Sequence, residues 1–366
     1  MFFPKSAAMK PDHPSAHPAA RSAGGAGRFP LHDTAAPTPA PHRRGLWRRL
    51  QRGCVLCWLL AAWALQQGVS AAPLHTPLPG PLITPAMLAA RLDAVRVLDI
   101  RDDASDAAHI PGAVPAPYAW WRGPADDPGA LLTLAQFTAL LRRLGLTAHT
   151  PVVVVAAGGD PSDFGAPARV YWTLKWLGLR QLAILNGGMA AWHAAGLPLT
   201  RQPTAVTPSR FTPQLDDAIL ATRENVQAAL HTPGTVLLDA RPKAFYLGRE
   251  KAAAATRPGT LPGAVDFDNL RWFPRGGGAL PDPAVLQGIA RDVPLPATTT
   301  RVVSFCNTGH WAATNWFVLS EVLHRRGVAL YPGSMVDWSR AGAPMAHVPS
   351  RLQQLWWQLE QAWQAL

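Results

Sequence analysis

One thiol dominates the chemistry open to this sequence. Cys54 and Cys57 sit inside an apolar run, whereas Cys306 stands in Arg301-Val302-Val303-Ser304-Phe305-Cys306-Asn307-Thr308-Gly309-His310-Trp311-Ala312. That places it just past an apolar, β-branched run and a few residues ahead of a helical stretch. A tight loop between strand and helix turns successive backbone N–H groups inward, and the helix that follows presents its positive end. Both effects favour thiolate over thiol. Gly309 permits the backbone angles such a loop needs. A thiolate held this way, with no second cysteine beside it, suits a nucleophile that accepts one atom and passes it on. The competing reading is a small buried hydrophobe, and the cysteine count alone does not separate the two.

Other groups in the loop and after it could assist. His310 can give a proton or a hydrogen bond, and Trp311 suits an apolar mouth. Asn307, Thr308 and Ala312 complete the loop. Candidates for a positive charge that would bind an anionic donor are Arg241, Arg249, Lys251, Arg271 and Arg275. Arg241 also reads as half of a fold-holding pair with Asp239, because Asp99 and Arg101 repeat that pair earlier in the chain. Arg271 and Arg275 flank Trp272-Phe273 and equally suit a solvated face. The set requires neither a metal nor a cofactor.

The elements that position these residues occur twice. Val97-Leu98-Asp99-Ile100-Arg101 recurs as Leu237-Leu238-Asp239-Ala240-Arg241, and Ile110-Pro111-Gly112-Ala113-Val114 as Leu261-Pro262-Gly263-Ala264-Val265. Gly187-Gly188-Met189-Ala190-Ala191-Trp192 recurs as Gly333-Ser334-Met335-Val336-Asp337-Trp338. The order is kept, so the chain is a duplicated domain and not a short-period solenoid. Strands are predicted at 95–100, 152–156 and 182–185, then at 235–239, 301–305 and 328–331. Helices are predicted at 166–177 and 312–324. Strands alternating with helices give an α/β fold, a parallel sheet flanked by helices in each copy. The expected domains are 80–200, lacking the cysteine, and 219–345, carrying it, joined by a proline-rich linker at 201–218. An amphipathic helix at 349–366 is expected to cover the core through Leu355, Trp356, Leu359 and Trp363.

With 366 residues, 48% hydrophobic and 16% charged, the chain can bury a real core. Its net charge of +11 is concentrated at one end. Residues 1–71 hold nine Lys and Arg against two Asp, and the remainder holds 25 against 21 Asp and Glu. That remainder has no basic stripe for a phosphate backbone, so nucleic acid is excluded as a partner. Residues 1–45 read as disordered or as a mis-started extension. Residues 46–71 have the cationic flank, short apolar run and small-residue end of a secretory signal, so a periplasmic or secreted product starting near Ala72 is expected. An uncleaved anchor in the inner membrane, facing the periplasm, is the alternative. Cleavage would leave Cys306 as the single thiol of the mature chain, in an oxidising compartment.

Asp239-x-Arg241, Leu261-Pro262-Gly263-Ala264, Cys306-x-x-Gly309-x-x-Ala312 and Gly333-x-x-x-x-Trp338 together resemble the rhodanese family, specifically its tandem two-domain sulfurtransferases, over roughly residues 80–345. The resemblance implies transfer of a sulfane sulfur from thiosulfate or 3-mercaptopyruvate, through a Cys306 persulfide, to cyanide or a thiol. It also implies that the loop amides stabilise thiolate and persulfide. The first copy reads Ala156-Ala157-Gly158-Gly159-Asp160 at the matching place, so it is expected to be catalytically empty and to wall one side of the cleft. Phe245 falls where relatives place a substrate-binding Arg. Some relatives on this fold cleave phosphate esters. That chemistry needs an Arg six residues after the cysteine to clamp phosphate, and position 312 is Ala. A persulfide carrier or thiol-redox scaffold in the cell envelope is the non-enzymatic alternative.

Overall fold

The computed structural model describes residues 77–105 and 107–350, with 352, 353, 356, 357 and 363 beyond them. The expected leader, Cys54, Cys57, Leu355 and Leu359 lie outside the described residues.

Two parallel sheets result from the duplication. The first runs β1 (Leu82–Ile83), β2 (Arg96–Asp99), β3 (Val114–Pro115), β4 (Val152–Val155) and β5 (Leu182–Leu185) in the spatial order β1-β5-β4-β2-β3. The second runs β6 (Thr235–Asp239), β7 (Val265–Asp266), β8 (Arg301–Phe305) and β9 (Val328–Leu330) in the order β7-β6-β8-β9. β4 is four valines, all buried, as a central parallel strand covered on both faces requires. The longer strands match the sequence prediction within one residue at each end. The two-residue strands β1, β3 and β7 are too short to show a periodicity.

In each sheet the chain leaves its first long strand toward one side and returns on the other, so the order reverses between β2 and β4 and between β6 and β8. A crevice opens at the carboxyl ends of the strands at such a switch point. Cys306 directly follows β8, at the second of these points.

The helices leaving the two switch points, Gly165–Trp176 and Trp311–Trp316, lie against each other. The latter continues as a π-helical stretch, Phe317–Val322. Tyr171 meets the Phe317 ring edge-on at 5.0 Å. Its hydroxyl donates to Glu321 at 2.8 Å, and Lys175 pairs with the same carboxylate at 2.7 Å. One apolar cluster runs through both domains, taking in Trp172, Phe273, Trp316 and Cys306. This packing brings the two loops that follow β4 and β8 together.

Beyond residue 350 the structure corrects the sequence reading. Trp356 and Trp363 are 68% and 81% exposed and do not cover the core. Helical spacing places apolar side chains on one face but does not supply a surface to receive them. Among the described residues no helix is long and apolar enough to cross a membrane.

Candidate active site

The loop after β8 is held from outside and opens inward. The N–H groups of Met335 and Val336, in the first turn of the helix Ser334–Arg340, donate to Cys306 O and Asn307 O. The Cys306 N–H donates to Ser334 Oγ at 3.0 Å. Met189 and Ala190 hold Ala156 O and Ala157 O in the same way in the first domain. That shared task accounts for the repeated Gly-x-Met motif. With its early carbonyls tied outward, the loop turns through Gly309 at φ +71°, and the Gly309 N–H points at Cys306 Sγ, 3.1 Å away. Cys306 is 1% exposed, yet it helps to line a cleft of about 610 Å³. The first domain supplies the facing wall with Tyr118, Arg122, Gly123 and Ser162.

Asp239 and Arg241 brace the loop from beneath. Both are buried and paired at 2.6 Å. Arg241 also donates to Gly259 O and Asn307 Oδ1, and Thr260 Oγ1 donates to Asp239. A buried pair of this kind, with the guanidinium already donating to Asp239, Asn307 and Gly259, fixes geometry and has little left for a ligand. The other expected anion readers also lie elsewhere. Arg249 stacks on Trp357, Arg271 pairs with Asp292 at 2.8 Å, and Arg275 is exposed. Lys251 donates to Ala255 O, and none of the five lines the Cys306 cleft. Sequence proximity to the motif was a poor guide, because the cleft is completed by the other domain.

His310 is tied in place. Its Nε2 faces the Ser162 carbonyl at 3.0 Å and must carry the proton, since a carbonyl only accepts. Nδ1 then accepts from the Tyr118 hydroxyl at 3.0 Å, and that oxygen accepts from Arg122 Nη1 at 2.9 Å. Burial, followed by the Arg122 charge, pulls His310 down to about 4, so it is neutral at physiological pH. Trp311 is among the residues that line the cleft, and its Nε1 donates to Ser162 Oγ at 3.0 Å.

The His310 environment has a consequence for stability. An unfolded histidine titrates near 6.5, so between that pH and about 4 the unfolded chain binds a proton that the folded chain refuses. Stability should therefore fall as the pH is lowered through that window, by on the order of 3 kcal/mol at its lower end. Thermal melts across the window should show a shallower loss in His310→Asn than in the unaltered chain. Parallel curves would show that His310 is not held neutral.

Three first-domain residues at this site escaped the sequence reading. Arg122 Nη2 donates to Thr308 O at 2.9 Å. Arg169, fully buried, donates from Nη1 to Thr308 O and Gly309 O, each at 3.2 Å. Burial, then the Arg122 charge, lowers Arg169 to about 9, still protonated at neutral pH. Tyr118 completes the set. A signal was present: aligning Trp121 with Trp272 sets Arg122 against Phe273, and aligning Trp172 with Trp316 sets Arg169 against Ala313. The copies thus differ at Arg122, which lines the shared cleft, and at Arg169, which clamps the Cys306 loop.

Residues 84–195 and 222–341 each match the family described as Rhodanese-like domain. A Pseudomonas aeruginosa protein named "Probable 3-mercaptopyruvate sulfurtransferase" is 34% identical over 289 residues, covering 70% of this chain and 94% of that protein. The rat protein named "Thiosulfate sulfurtransferase" is 30% identical over 222 residues, covering 58% of this chain and 71% of that protein. The crystal structure of SseA from Escherichia coli, described as a 3-mercaptopyruvate sulfotransferase with a "Rhodanese" fold, superposes with a TM-score of 0.61 at 23% identity. It covers 70% of this chain and 98% of that one, a likeness of fold. By its matched sequence and its two sheets, this chain belongs to the rhodanese family of sulfurtransferases, with two rhodanese-like domains in tandem.

Proposed function

We propose that the protein moves a sulfane sulfur from a small anionic donor, thiosulfate first and 3-mercaptopyruvate second, through a persulfide on Cys306 to cyanide or a thiol. The observation that carries this reading is the Gly309 N–H aimed at a sulfur lining an interdomain cleft. Arg169 supports it further. A buried cation whose hydrogen-bond partners are carbonyl oxygens favours a negative charge nearby, and two of those carbonyls belong to the loop that carries Cys306.

With thiosulfate, the Cys306 thiolate attacks the outer sulfur. The donor S–S bond breaks, sulfite leaves with the bonding electron pair, and the transferred sulfur remains on the enzyme as a persulfide anion. Cyanide carbon then attacks that terminal sulfur, thiocyanate departs, and the thiolate returns. The negative charge passes from Sγ to the added sulfur, one S–S bond further into the same loop, and returns to Sγ when thiocyanate departs, so donors fixed in that loop need little reorganisation in either half-reaction.

The test is mass spectrometry on chain incubated with thiosulfate or 3-mercaptopyruvate and then desalted. One sulfur should appear on the peptide containing Cys306 and disappear, with stoichiometric thiocyanate, when cyanide is added. No added sulfur, or sulfur on another residue, refutes the reading. Loading without repeated turnover would instead identify a sulfur carrier.

A further inference from the structure

We propose that Arg122, on the domain without the cysteine, is the group that recognises the donor's oxyanion end, the sulfonate of thiosulfate or the carboxylate of a mercapto acid. The inference rests on reading Cys306 as the reacting thiol. It answers a gap in the site, since the positions from which a second-domain arginine was expected to reach the donor do not line the cleft.

Among the described residues that line the Cys306 cleft, Arg122 is the one cationic side chain at neutral pH. His310 is neutral, and the remaining walls are Tyr118, Ala119, Pro128, Ala252, Trp311 and small or amide-bearing groups. Arg122 is half-buried, and among the described residues it forms no ion pair. Two of its five N–H donors are spent, one on Tyr118 Oη and one on Thr308 O, two residues past the cysteine. These bonds orient the guanidinium and leave donors for a ligand. Planar guanidinium is well suited to an oxygen anion, and a site with few other charges screens it little. Thr308 O also accepts from Arg169, so the loop keeps one clamp when Arg122 is altered. Removing Arg122 should therefore change what the site prefers more than how the loop is built.

Alkylation of Cys306 reads this preference without requiring any sulfur transfer. Iodoacetate and iodoacetamide both lose iodide to the thiolate and form a carbon–sulfur bond, but only iodoacetate brings a carboxylate. The ratio of their rates at Cys306, followed by peptide mass, should fall about tenfold or more in Arg122→Met and largely return in Arg122→Lys. Arg275→Met, on the exposed surface, should leave it unchanged. A ratio unaltered in Arg122→Met, or altered equally in Arg275→Met, overturns the proposal.

Protection needs no variant. Sulfate and pyruvate, standing for the sulfonate and carboxylate ends, should slow alkylation of the unaltered chain by iodoacetamide, and the stronger protector identifies the donor class. Protection by neither also overturns the proposal. A chain that shows the selectivity yet transfers no sulfur keeps this inference and loses the sulfurtransferase reading; one that transfers sulfur with an unchanged ratio does the reverse.

Discussion

Cys306→Ser should cut thiocyanate production from thiosulfate and cyanide by about a thousandfold or more while leaving the fold intact. The hydroxyl is smaller than the thiol and can accept the same Gly309 N–H, so no buried donor is orphaned. What it lacks is ionisation. A serine reacts only when a base beside it takes its proton, and the histidine of the loop is already committed. His310 Nε2 donates to Ser162 O, and Nδ1 accepts from Tyr118. A sulfur nucleophile does not need that base, because thiolate is accessible near neutral pH without one. The loop is therefore built for sulfur and not for an alcohol. The measurement is turnover of the purified variant beside its melting temperature. A correctly folded serine variant with undiminished thiocyanate production would place the chemistry on another group.

Much of this was legible in the sequence because it depends on local pattern. The β-branched runs of β4 and β8 are buried on both faces and announce parallel strands whatever surrounds them. The repeats at 97–101 and 237–241 fix the duplication, and the Asp239–Arg241 pair forms as its counterpart Asp99–Arg101 does. Cys306 and its loop follow from strand, glycine and helix in series. The opposite wall could not be read this way. Arg122 lies 184 residues before Cys306, and it reaches Thr308 only because the helices Gly165–Trp176 and Trp311–Trp316 pack across the duplication. A contact of that kind is decided by how two domains dock, which no local periodicity records. The arginines near the motif were better placed in sequence and worse placed in space. Arg241 is consumed by the fold, and Arg271 by a surface pair.

Gly309→Ala should lower both stability and the rate of persulfide formation, the second by about a hundredfold. The left-handed backbone at φ +71° costs a non-glycine residue about 1–2 kcal/mol by itself. A methyl there has no room. It would collide with Arg169 Nη1 and come within 2.7 Å of Pro332 O and 2.8 Å of Pro332 Cα. Neither neighbour yields cheaply, since Pro332 offers backbone and Arg169 is fully buried with Nη1 already bonded to two loop carbonyls. The peptide must rotate or the loop must lift, and either motion carries the 309 N–H away from Cys306 Sγ. The loss then compounds, because the same displacement pulls Thr308 O from Arg169 and Arg122 and loosens the wall that meets the donor. Rapid-mixing measurement of persulfide formation, set beside thermal melts, separates the two effects: Cys306→Ser should lose activity at unchanged stability, and Gly309→Ala should lose both. A Gly309→Ala chain that melts early yet forms persulfide at the original rate would show that the amide is a structural turn and not the group that holds the sulfur's charge.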